Sequence, residues 1–345
     1  MSARYESMSQ HPFDATKAAT PPFPQPSPVK GEGDNPLPFD AAKVALPPSR
    51  GEKEGGVRHR EVVHTSMSPH PLPSPPLEGE GENSHPFDAA IALRHKPPHR
   101  WLGRTSADYW NMVSPYGGVT AGAMMQAMLD HPERRGTPLA FTLNFLAPID
   151  AGDFAIDTEL VRANRNSQHW AIRLSQAGRV LAQAIAICAL RRDTWSLVEA
   201  APPQVPPPEQ CPPAPPRKAT GFLQRYEFRI VRGTPFAENP DSLSHVWVSD
   251  LPPRPLDFAS LTALCDSFLP RIFLRRPKFV PIGTVSINIY FHAGAEALAR
   301  HGAAPVLTVA QAQAFSDGHF DHHGQVWSAD GTLLATTQQL VWYKE

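Results

Sequence analysis

The sequence predicts an α+β fold in which one unit is written twice. Each unit is an antiparallel sheet wrapped around a buried helix. Three observations predict it. Foldable text falls into two blocks separated by a proline-rich segment. Each block runs in the same order, a mostly apolar helix and then several long strands. Short stretches also match between the blocks. Thr142-Leu143-Asn144-Phe145-Leu146-Ala147 parallels Asn288-Ile289-Tyr290-Phe291-His292-Ala293, and Gly178-Arg179-Val180-Leu181-Ala182 parallels Gly331-Thr332-Leu333-Leu334-Ala335.

In the first block the helix starts at Gly117-Gly118 and runs to Leu129. A strand follows from Leu139 to Leu146, with Leu139, Phe141, Leu143 and Phe145 on one face. Phe154 to Val161, Trp170 to Gln176 and Val180 to Leu190 read as three more, with Ala177-Gly178 turning between the last two. In the second block a helix is expected from about Leu256 to Leu269, with Asp257 able to cap it. Strands are expected over Thr284 to His292, Val306 to Ala314, His319 to Ser328 and Thr332 to Tyr343. Asp330-Gly331 forms the last hairpin turn.

Proline distribution sets the domain organisation. Of 40 prolines in 345 residues, 18 lie within residues 1–100 and 9 within 201–217, so the remaining stretches are ordinary. Residues 1–84 read as a disordered, repetitive Pro/Gly/Glu-rich extension. Phe13-Asp14-Ala15 returns as Phe39-Asp40-Ala41 and Phe87-Asp88-Ala89, and Ser7-Met8-Ser9 as Ser66-Met67-Ser68. Such text buries too little apolar surface to offset its ordering entropy. The expected organisation is that extension, a first repeat over 85–200, a proline-rich linker over 201–217 and a second repeat over 218–345.

Composition excludes several classes. The net charge is −1, against the basic face of a nucleic-acid binder. Cys188, Cys211 and Cys265 form no CxxC and no disulfide framework, which fits a reducing compartment. The sequence has no apolar stretch of membrane-spanning length. The expectation is a cytoplasmic protein with no membrane or nucleic-acid partner.

Asp266 is the sharpest chemical signal. It is the only charged residue between Phe258 and Pro270, in a run apolar on most faces. A carboxylate in such surroundings is costly unless it is hydrogen-bonded or its pKa shifts. It reads either as a functional acid or as an aspartate at a frayed helix end before Pro270. Gln339 shares a strand face with Leu333, Ala335 and Val341, unusual company for an amide. Gln338, on the opposite face, is the competing choice.

Taken together, these blocks resemble the acyl-CoA thioesterase II family. In the first, Tyr116-Gly117-Gly118 with its helix precedes the strand ending Phe145-Leu146-Ala147-Pro148. In the second, Leu264-Cys265-Asp266-Ser267-Phe268-Leu269-Pro270 is followed by Thr284-Val285-Ser286-Ile287 and Leu334-Ala335-Thr336-Thr337-Gln338-Gln339. The resemblance covers about residues 86–345 and rests on order and spacing more than on any single motif. It implies a double hot-dog fold and hydrolysis of an acyl-CoA thioester to free acid and CoA. Asp266, Thr284 and Gln339 would hold the attacking water. Gly117 and Gly118 would offer substrate-binding or oxyanion donors. No cofactor and no metal are implied, and association into a homo-oligomer is. Gln126 would stand where Asp266 stands in the other repeat, so one site per chain is expected. The alternative is a non-catalytic hot-dog protein that binds acyl thioesters.

A metal at His319, His322 and His323 beside Asp317 and Asp321 is conceivable, but His319, Asp321 and His323 share a strand face with alternate residues between them. Met124, Met125 and Met128 are expected in the core or along an acyl channel.

Overall fold

Alternating apolar residues build long strands, and two helices with small residues on their facing sides fill the space they enclose. A computed structural model describes residues 84–215 and 221–345. The extension predicted over 1–84 lies outside the described residues except for its last residue, and so do 216–217 of the linker.

The first repeat opens with helix α1 (Pro86–Ala90), strands β1 (Arg94–Lys96) and β2 (Arg100–Arg104), and the small hairpin of β3 (Trp110–Asn111) and β4 (Ser114–Pro115). Helix α2 (Gly117–Leu129) follows, then β5 (Thr137–Phe145), β6 (Asp153–Ala163), β7 (Ser167–Gln176) and β8 (Arg179–Ala189). The second repeat contains β9 (Tyr226–Arg232), β10 (Ser244–Asp250), α3 (Phe258–Leu264), α4 (Arg271–Arg275) and β11 (Ile282–Phe291). It continues with α5 (Ala295–His301), β12 (Val306–Gln311), β13 (Phe315–Ser316), β14 (His319–Trp327) and β15 (Leu333–Tyr343).

Among the described residues, thirteen strands join in one sheet ordered β1-β2-β6-β7-β8-β5-β11-β15-β14-β12-β10-β9, with β13 against β14. The order reads the same from both ends once the repeats are matched, with β5 and β11 meeting at the centre. There Leu143 pairs with Ile287 and Phe141 with Ile289 in antiparallel register. This is the double hot-dog fold that the sequence predicts.

Each repeat wraps its helix. Met124, Met125 and Met128 of α2 are fully buried, with Phe141, Leu143, Ile156 and Trp170 in the same core. The helices α2 and α3 lie antiparallel and close. A Cβ on Gly118 would sit 2.5 Å from the Ala263 carbonyl oxygen, so only glycine allows this approach. The Asp257 cap is present: its Oδ1 accepts the Ser260 N–H at 2.8 Å within a capping box.

The structure shortens one predicted element. Helix α3 ends at Leu264, not Leu269. Pro270 disfavours helical backbone at the residue before it, and the Ser267 hydroxyl donates to the Leu264 carbonyl at 2.7 Å. The chain from Asp266 to Leu269 therefore turns away from the helix axis. The proline-rich segment is packed as well. Val205 and Cys211 lie against Trp247, Leu307 and Trp327, and the Trp247 indole donates to the Pro206 carbonyl at 3.0 Å. No helix among the described residues is long and apolar enough to cross a membrane.

Candidate active site

The five residues singled out from sequence come from four separate elements and converge. Gly117 and Gly118 open α2, Asp266 follows the C-cap of α3, Thr284 lies on β11 and Gln339 on β15. The early end of α3 places Asp266 beside the first turn of α2. A Cβ on Gly117 would fall 2.6 Å from Asp266 Oδ2.

Three donors face the Asp266 carboxylate: the Gln339 side-chain amide, the Gly118 backbone N–H and the Thr284 hydroxyl. Burial nevertheless dominates and pushes this carboxyl up to about 7, while the three donors pull the other way. Among the described residues no cation forms an ion pair with it. It is thus a carboxylate poised to take a proton near neutrality.

Each partner is held in place. Gln339 is buried, and its Nε2 donates to the Cys265 carbonyl at 3.0 Å, which fixes the amide over the end of α3. Gln338 is exposed and points away. Thr284 stands at a β-bulge, because the β11–β15 register shifts between Thr284 and Ser286. Bulges re-aim side chains beside sites of this kind. The helix start is anchored by Tyr116, whose hydroxyl donates to the Ala263 carbonyl at 2.7 Å and whose ring stacks on Phe222. Tyr116 makes no side-chain cap bond, and the Gly118 N–H in the first turn of α2 is taken by Asp266 instead, so it is not left over as the oxyanion donor expected from sequence. Gln339 and Gly118 are buried, whereas Asp266, Thr284 and Gly117 are partly exposed, so the constellation opens on one side.

Two family models cover this architecture. The N-terminal domain of acyl-CoA thioesterases matches residues 106–189, and the C-terminal domain matches 208–343. The chain belongs to the acyl-CoA thioesterase family. A hot-dog protein of unknown function from Alicyclobacillus acidocaldarius is 45% identical, with a TM-score of 0.74 over 76% of this chain and 99% of its own. An acyl-CoA thioesterase II from Mycobacterium marinum shares the fold at 18% identity, TM-score 0.62, over 75% of this chain and 98% of its own. No curated protein matches the sequence. The chain is thus a thioester hydrolase of the double hot-dog class.

Several other residues of this thioesterase fall elsewhere. Gln126 donates to Asp130 at 2.7 Å and does not face the neighbouring helix end. Aligning the helix N-caps, Tyr116 and Asp257, sets Met125 opposite Asp266 instead. Cys265 is fully buried, and burial raises its thiol well above the usual range, so it is no thiolate nucleophile. His319, Asp321 and His323 point outward and bond locally. Asp321 Oδ1 accepts the Gln313 and Ala314 N–H groups, each at 2.9 Å.

Sequence reading missed a second histidine group, His99, His131 and Glu133. The His131 Nδ1 accepts the Glu133 N–H at 3.2 Å, so its proton resides on Nε2, which faces His99 Nδ1 at 3.1 Å. Both His131 nitrogens are occupied by hydrogen bonds, and the group does not fit a metal. Sequence reading also passed over Thr337 and the inward orientation of His322. Both lie on the Gln339 face, and strand parity was the signal that could have found them.

Proposed function

We propose that this chain hydrolyses acyl-CoA by attack of a water molecule held between Asp266, Thr284 and Gln339. The carboxylate accepts the proton as the water oxygen bonds to the thioester carbon. The carbonyl oxygen takes up negative charge, and the positive end of α2 at Gly117 faces that charge, while the Gly118 N–H stays on Asp266 and is not an oxyanion donor. Collapse of the tetrahedral species breaks the C–S bond. The thiolate of CoA leaves and takes from Asp266 the proton that came from the water, giving free acid and thiol. The Thr284 hydroxyl and Gln339 amide orient the water without adding charge.

One observation carries this reading. A mostly buried carboxyl with no cation beside it is raised to about 7 by burial against the pull of three donors from three different elements. Donors alone would draw a carboxyl below its ordinary value, whereas burial holds this one above it.

The test is thiol release from a panel of acyl-CoAs and one acyl-carrier-protein thioester, with the native chain and Asp266→Asn. The variant should lose about 10²–10⁴ in kcat/KM, the usual worth of a general base. In the native chain kcat/KM should rise with pH through about 7 and level off above, because only the ionised carboxylate accepts a proton. Full turnover in the asparagine variant, or a flat profile from about pH 6 to 8, would refute the assignment.

A further inference from the structure

Beside Gln339 the sheet carries three buried polar atoms that the mechanism does not use. His322 on β14 is the cross-strand partner of Gln339, so both side chains leave the sheet on the same face. His322 is 3% exposed, and neither Nδ1 nor Nε2 has a hydrogen-bond partner among the described residues. Thr337, two residues before Gln339 on that face, is 4% exposed, and its Oγ1 is equally unpartnered. Opposite Thr337 stands Gly324. The space a side chain would take there is filled by Phe268, whose Cζ would lie 2.5 Å from a Cβ on Gly324. The Phe268 ring meets the His322 ring edge-on at 5.2 Å. An imidazole and a hydroxyl thus flank the Gln339 amide around one aromatic ring.

Buried polar atoms are costly to leave unpaired, and three in one patch beside a reaction centre point to a bound group that completes them. We infer that His322 and Thr337 form a specificity subsite for an uncharged hydrogen-bonding group, a hydroxyl or keto oxygen, on the acyl chain close to the thioester. The inference rests on the placement of the thioester at Gln339.

Three arguments fix the chemistry. Burial, with Arg271 and His323 nearby, holds the His322 imidazole neutral, so it offers one donor and one acceptor. Thr337 offers the same pair. Arg271, the cation that could favour a carboxylate, is fully buried and engaged by the carbonyls of Leu269, Ser242 and Ala310 and the Ser244 hydroxyl. Position follows from the pleat. Residues directly opposite each other in a sheet have Cβ atoms about 5 Å apart. A group meeting His322 therefore lies only a few bonds from a thioester carbon held at Gln339.

The experiment compares 3-hydroxyhexanoyl-CoA, each enantiomer separately, and 3-oxohexanoyl-CoA with hexanoyl-CoA. The native chain should favour one of the oxygenated substrates at least about tenfold in kcat/KM, since a site built to bond an oxygen rejects the analogue lacking it. His322→Leu should bring that ratio close to one, and the isosteric Thr337→Val should lower it. If His322→Leu does not fold, Thr337→Val carries the comparison. A native ratio near one, or variants that change both substrates in proportion, overturns the subsite. If the native chain hydrolyses none of these thioesters, the catalytic reading has failed separately. The ratio is then read from Kd values of the matching non-hydrolysable thioethers. A tenfold preference lost in the variants supports the subsite, and equal Kd values overturn it.

Discussion

The two repeats share a backbone and differ in what they place on it. Their sheets are mirror-ordered about the β5–β11 junction. Both central strands bulge at the same point, between Pro138 and Ala140 in one and between Thr284 and Ser286 in the other. Matching the bulges sets Thr284 against Pro138. Matching the Gly178 and Gly331 hairpins sets Gln339 against Ala186, and the strand registers then set His322 against Trp170. Matching the helix caps sets Asp266 against Met125. Every polar member of the candidate site in the second repeat thus corresponds to proline, alanine, tryptophan or methionine in the first. Length differs too: α2 runs 13 residues and α3 only 7. The longer helix fills its sheet, whereas the shorter one stops early and frees the chain to aim a carboxylate at the start of α2. The first repeat contributes backbone N–H groups and the second contributes side chains, so neither repeat holds the site alone.

The largest expected effect is on stability, and it has a definite sign. The folded Asp266 carboxyl stands at about 7, above its unfolded value of 3.8. A carboxyl raised on folding favours the protonated native state. Stability is then fullest at low pH and is lost as pH rises between those two values. Asp266→Asn removes the titration, as Met125 does in the other repeat. The difference in unfolding free energy between variant and native chain should therefore shift towards the variant by roughly 2–4 kcal/mol from pH 4 to pH 8. Urea unfolding at a series of pH values measures it, and a pH-independent difference would show that the carboxyl is not perturbed.

Next comes Gln339→Ala, which copies Ala186 into the second repeat. It removes the amide that spans Cys265 and Asp266 and should lower kcat about 10²-fold, the order expected for one positioned polar group. Acyl-CoA KM should change far less. A larger change in KM than in kcat would assign Gln339 to substrate binding instead. Gly117→Ala should follow at about tenfold in kcat/KM. Its methyl would meet Asp266 Oδ2 at 2.6 Å, and the carboxylate must swing aside. Unchanged kinetics in that variant would mean that the close approach of α2 is packing alone.

Much of this fold was legible because its central strands alternate cleanly. Phe141 and Leu143, or Ile287 and Ile289, announce a one-sided sheet at period two, and the repeated hairpins fix their order. The edges were not legible. In β9, Tyr-Glu-Phe-Arg-Ile-Val-Arg mixes charge with apolar residues, because one face covers the core and the other carries salt links such as Arg229 to Glu227. The end of α3 was misjudged because its apolar run continues to Leu269, while the restriction imposed by Pro270 acts through backbone geometry. Asp266 stood out as a lone charge in an apolar run. His322 and Thr337 did not, since neither residue type is unusual in a strand. Their lack of partners emerges only when β14, β15 and Phe268 are assembled.

The smallest expected effect tests the comparison from the other side. Ala186→Gln writes the amide of the second repeat into the first. Ala186 is 2% exposed and pairs with Trp170 and Phe141 on its two neighbours. Nothing there resembles the Cys265 carbonyl at the end of a shortened helix, because α2 continues past Met125 to Leu129. The amide would be buried without partners, and its added volume would press on a filled core. The expected cost is about 1–3 kcal/mol of unfolding free energy, with no gain of thiol release. Thr337→Val, which removes an unpartnered hydroxyl from the second repeat, should by the same logic hold or raise the melting temperature. If Ala186→Gln were instead neutral, the first repeat would have space and donors that its burial does not show. The contrast between an apolar copy and a polar copy of one unit would then be weaker than the paired strands indicate.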